Sequence, residues 1–127
     1  VAKQLAALGH TTGDEPGQVP TTFVDWRLAM TRETDWRRHE RDMVRCVLDR
    51  GGFLPGIVLA DAEVAGITQP MLMVYGTADP GGSVDIWRRF VGRLPRGELE
   101  LVDRGGHMVW YDDPGRVGAR VAQFLAS

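Results

Sequence analysis

Between Pro70 and Trp110 the spacing of apolar positions changes period twice, and the changes mark out a unit of structure. Met71 to Tyr75 is an unbroken apolar run, opened by Pro70 and closed by Gly76, as expected of a strand buried on both faces of a parallel sheet. From Val84 the apolar residues Trp87, Phe90, Val91 and Leu94 fall at i, i+3, i+4 and i+7, one stripe of a helix. Ser83 is its expected N-cap, and Asp85 lies on the favourable side of the helix dipole. Pro95 and Gly97 stop the helix. Leu99 and Leu101 then alternate with Glu98 and Glu100, which predicts a strand near 98–102 with one wetter face. A strand, helix, strand unit of this length crosses over right-handedly and leaves parallel strands whose carboxyl ends share one edge.

The rest of the pattern is helical. Val1, Leu5 and Leu8 share one face of a short helix that Gly9 can close, and the polar stretch 10–20 reads as a loop. A helix is predicted from about Thr22, carrying Phe23, Trp26 and Met30. A second runs from about Glu33 to Arg50, with Trp36, Glu40, Met43 and Val47 along one side. Its arginines alternate with acids, Glu33 with Arg37 and Arg38 with Asp42 standing at i, i+4. That favours a solvated face with weak local pairs over a phosphate site. Gly51, Gly52, Pro55 and Gly56 make a turn-rich connector, and Asp61 is placed to cap a brief helix through Val64. The last helix begins at Asp113, with Pro114 in its first turn and Val117, Val121, Phe124 and Leu125 on its packed side. The chain thus divides into a helical segment, 1–67, and an α/β part, 68–127.

Composition narrows the class. A length of 127 residues allows one domain with a modest core. Fifteen basic residues against seventeen acidic ones argue against nucleic acid or an anionic membrane as partner. The single cysteine excludes an internal disulfide and fits a reducing compartment. No apolar run approaches the roughly 20 residues of a spanning helix, so a soluble cytoplasmic protein is expected. Opening on Val1 rather than methionine, the chain reads as part of something longer.

The candidate chemistry lies at the shared strand edge. Asp79 and His107 occupy the two turns leaving it, where catalytic groups of open parallel sheets gather. GTADP after one strand, GGH after the next and the closing DDPGRVGARVAQFLA together resemble the C-terminal part of an α/β-hydrolase. The resemblance implies a triad in the order nucleophile, acid, histidine, with Asp79 as acid and His107 as base. His107 would take a proton from an attacking hydroxyl and return it to the leaving group, while Asp79 holds the ring's tautomer. The substrate implied is an ester or other small acyl compound, with no cofactor and no metal. Family members also open carbon–halogen bonds and epoxides from an aspartate nucleophile. Residues 1–67 would form a lid, with Trp26 and Met30, and also Trp36 and Phe53, as contacts to substrate. Met108 and Trp110 would edge the pocket. Core packing is the competing reading of the lid residues. Asp103, Asp112 and Asp113 are rival acids, Asp103 reading as the end of the strand.

The nucleophile is missing. The two serines are Ser83 and Ser127, neither in a G-x-S-x-G elbow, and Cys46 reads as a small buried hydrophobe. No oxyanion loop is recognisable. MLMVY also expects strands on both sides, while the chain offers one partner. Two expectations follow: strand partners come from an N-terminal hydrolase half, or from another copy through an exposed edge. The alternative is a truncated or degenerate hydrolase-fold protein without catalysis, acting through association. A phosphate cradle at GTADPGGS is the remaining reading, weakened by the absence of G-x-G-x-x-G and of a Walker lysine and by the charge of Asp79.

Overall fold

The computed structural model describes residues 1–54 and 56–127; Pro55, part of the expected connector, lies outside the described residues. The protein is mixed α/β. Seven helices are present among the described residues: α1 (Ala2–Ala7), α2 (Thr21–Glu33), α3 (Trp36–Arg45), α4 (Asp61–Ala65), α5 (Val84–Val91), α6 (Val109–Asp112) and α7 (Pro114–Leu125). Strands β1 (Leu48–Asp49) and β2 (Gly52–Phe53) form a hairpin, and β3 (Met71–Gly76) pairs in parallel with β4 (Gly97–Val102).

The parallel pair keeps one register from Met71 opposite Gly97 to Gly76 opposite Val102. Side chains of paired residues share a face. Val74 and Val102 pack with Val109 and Val117 beneath α6 and α7, whereas Tyr75 turns to the other face and lies 5.3 Å from the Trp87 ring of α5. Helices therefore cover both faces, as a parallel pair requires. The acids of β4 point at α7 rather than into water: Arg116 reaches Glu100 and the carbonyl of Leu101, and Arg120 reaches Glu98. The wetter face expected from Glu98 and Glu100 is thus a seam of ion pairs under a helix.

Three boundaries differ from expectation, each for a local reason. The helix expected from Glu33 to Arg50 begins at Trp36, because Thr34 is extended (φ −130°, ψ 158°) and its hydroxyl donates to the carbonyl of Met30 at 2.6 Å. The break leaves Arg38 and Asp42 as the surviving i, i+4 pair, 3.8 Å apart and exposed. At the other end the helix stops at Arg45 and the chain turns into the hairpin. Asp49 accepts the Gly51 N–H at 2.7 Å, and Gly52 takes φ 119°, which favours glycine. Asp61 is the first residue of α4 rather than its cap; Glu63 reaches back to the Ala60 N–H at 2.6 Å. Ser83 holds the N-cap position of α5 without a side-chain bond, and Asp113 caps α7 by accepting from Arg116 N at 3.0 Å.

The core is small for the chain. Compact folding of 14.0 kDa leaves about 6,700 Å² accessible, whereas this chain exposes 9015 Å². The excess includes apolar residues in sequence, Ile57, Val58 and Leu59, and the helix residues Met43, Val44 and Leu125. Both outer edges of the β3–β4 pair are without a strand partner among the described residues. No helix is long and apolar enough to cross a membrane among the described residues.

Candidate active site

Asp79 lies three residues beyond the last paired position of β3, and His107 five beyond that of β4. The ladder continues into both turns. Thr77 N–H donates to the Val102 carbonyl at 3.0 Å and Ala78 N–H to the Gly105 carbonyl at 2.9 Å, so the two loops leave the sheet stitched together. Gly76 makes the approach possible: a Cβ there would run into the carbonyl oxygens of Gly105 and Gly106.

His107 Nδ1 is 3.0 Å from Asp79 Oδ2. The Asp79 side chain is 5% exposed and that of His107 53%, so a sheltered carboxylate orients a ring that reaches solvent. Asp79 Oδ1 accepts the Gly81 N–H at 2.8 Å, which fixes the carboxylate plane. Below it, the Tyr75 hydroxyl donates to the Gly82 carbonyl at 2.7 Å and anchors the turn. With Asp79 as carboxylate, Nδ1 carries the proton and donates, and Nε2 keeps its lone pair.

A second histidine–aspartate pair supports the first. His10, absent from the sequence-based candidates, is buried, with Nδ1 3.1 Å from Asp112 Oδ1 and Nε2 accepting the Met108 N–H at 2.7 Å. An amide can only donate, so His10 Nε2 holds a lone pair and Nδ1 the proton. Asp112 Oδ2 also accepts the Gly106 N–H at 2.8 Å, and the Leu8 carbonyl accepts the His107 N–H at 3.0 Å. The three consecutive amides around His107 are therefore all held, by Asp112, by Leu8 and by His10. Gly106 lets these groups close in, since a Cβ there would lie 2.7 Å from the Leu8 carbonyl oxygen and 2.9 Å from His10 Cε1.

The rival acids have other partners. Asp112 serves His10, Asp113 caps α7, and Asp103 is exposed beside Arg104 at 3.5 Å. A cavity of about 490 Å³ opens against His107 and Met108, walled by α1 (Gln4, Leu5, Ala7) with Val1 and Leu8, by Phe23 and Arg27 of α2, and by Glu40 of α3. Phe23 and Arg27 stand one turn apart on the face of α2 that meets this space. Trp26 lies off it, 54% exposed with its ring 5.8 Å from Phe23, and Met30 and Trp110 are likewise outside the lining. Trp36 lines an adjoining hollow with Arg27, and Phe53 is exposed on the hairpin. Cys46 is exposed at the end of α3, so its reading as a buried hydrophobe is corrected, and neither it nor a serine lines the cavity. Among the described residues no group of three or more His, Cys, Asp or Glu is arranged to hold a metal ion.

No protein-family model, no curated protein and no solved structure matches the chain.

Proposed function

We propose that the chain carries the acid and base of an α/β-hydrolase-type site acting on an ester or other small acyl compound. The observation that supports this is the His107–Asp79 pair, 3.0 Å apart at the carboxyl edge of parallel strands and open to a cavity of ligand size. In this reading His107 Nε2 takes the proton of an attacking hydroxyl as its oxygen bonds the acyl carbon. The same nitrogen returns that proton to the departing oxygen, then activates water to release the acid. Asp79 holds the tautomer and stabilises the imidazolium. The nucleophile comes from a polypeptide segment outside these 127 residues.

The test is complementation. A strand-rich hydrolase half bearing a G-x-S-x-G serine is joined ahead of Val1, and hydrolysis of p-nitrophenyl acetate is followed. Activity that falls by about 10⁴-fold or more on His107→Ala and on serine→Ala is expected. A folded chimera no faster than its serine→Ala counterpart sinks the proposal. The chain alone should match a buffer containing free imidazole.

A second reading has its own observation in its favour. The accessible area of 9015 Å², well above that of a compact chain this size, and the open sheet edges fit a hydrolase-like protein that acts by association without catalysis.

A further inference from the structure

We propose that the cavity beside His107 takes an acyl compound bearing a free carboxylate, and that Arg27 is the residue that reads it. The word acyl rests on the hydrolase proposal; the carboxylate rests on Arg27. Arg27 and His107 line the same cavity, so a ligand filling it meets both. The guanidinium carbon lies over the Trp36 ring, 4.9 Å from its centroid, a cation–π contact that holds the charge beside the cavity. That contact is made to a π face rather than to an oxygen, so the guanidinium N–H donors are left for a ligand. Among the described residues no carboxylate stands within 4.0 Å of it, and of the arginines without an acidic partner it is the one that lines this cavity.

The remaining wall is mostly apolar: Leu5, Leu8, Phe23 and Met108. That combination suits a ligand with a hydrocarbon body and one anionic end. Glu40, half-buried in the same wall, is the opposing charge. It lies on α3 while Arg27 lies on α2, and as a like charge in the same wall it weakens the hold on any anion, least where the Arg27 guanidinium offsets it.

The test is equilibrium binding to the full chain, read by calorimetry and by NMR shifts at Arg27 Nε–H and the His107 ring. The probes are 4-phenylbutyrate, its neutral amide and 4-phenylbutylamine. The carboxylate should bind about tenfold or more tighter than the amide, as charge-assisted hydrogen bonds do. Arg27→Gln should equalise carboxylate and amide, Arg27→Lys should keep part of the preference, and Glu40→Gln should tighten the carboxylate. The last two also report if Arg27→Gln fails to fold. Equal binding of amide or amine, or a preference that survives in Arg27→Gln, overturns the inference. His107→Gln should retain the preference. A selective cavity with an inactive chimera would leave Arg27's role standing and remove the hydrolase reading; an active chimera without charge preference would do the reverse.

Discussion

The imidazole of His10 accepts the amide hydrogen of Met108 at 2.7 Å, across 98 residues of chain. Its other nitrogen bonds Asp112, and Asp112 holds the amide of Gly106. One buried side chain thereby ties the end of α1 to both sides of His107.

Replacing that side chain should loosen the loop before it unfolds the protein. His10→Ala leaves the Met108 amide without its acceptor, at a cost of about 1–3 kcal/mol in denaturant unfolding. Hydrogen exchange at Gly106 and Met108 should rise more than at strand amides. His10→Gln, which offers a carbonyl in place of Nε2, should recover part of the loss. Exchange at 106–108 unchanged in His10→Ala would show that the loop holds without it.

Gly76→Ala tests the close approach of the two turns. The added methyl group meets two backbone carbonyls, which cannot swing aside as a side-chain end can. Destabilisation of about 1–3 kcal/mol is expected, together with loss of the His107–Asp79 contact in the imidazole NMR spectrum. A stable variant with that spectrum intact would mean the turns have slack that the geometry denies.

Much of this arrangement was legible in the sequence, because it depends on period and punctuation. The apolar run from Met71, the stripe from Trp87 to Leu94 and the alternation after Gly97 specify strand, helix, strand, and parallel pairing brings Asp79 to His107. What could not be read lies where partners are remote or elements short. His10 sits between Gly9 and Thr11 in a polar stretch, and both its partners come from the far end of the chain. The apolar stripe extends past Arg45 because Val47 continues it, while a two-residue turn at Arg50 and Gly51 ends the helix and makes a hairpin. The single-turn α6 is too short to carry a period. Phe23 and Arg27 face the cavity where Trp26 and Met30 were expected, since the stripe gives a helix's apolar side and not its rotation about the site.

Asp79→Asn should keep the Gly81 contact and lose the orientation of the ring. The proton on His107 Nδ1 would no longer face a carboxylate, and its downfield NMR signal should shift or vanish with little change in stability. In the complemented enzyme the rate should drop by about 10⁴-fold. A drop below tenfold would remove Asp79 from the role of orienting acid.

Surface area predicts the behaviour of the chain in solution. A total exposed area above that of a compact chain, exposed apolar residues such as Ile57, Val58 and Leu59, and two strand edges without a partner among the described residues favour association. Sedimentation at micromolar concentration should therefore show species heavier than 14.0 kDa. Val58→Lys, on the exposed run beside α4, should shift the distribution toward monomer if that run takes part. A wild-type monomer with cooperative unfolding would mean the exposed surface is tolerated as it stands.

The short helix α1 forms a wall of the cavity, and the residues just after it grip the loop of His107. Occupancy and alignment consequently share one lever: whatever presses on Leu5 and Leu8 presses also on the amides that aim the imidazole. A substitution at Leu5 or Leu8 is therefore not local in effect, because reshaping the wall re-aims the base.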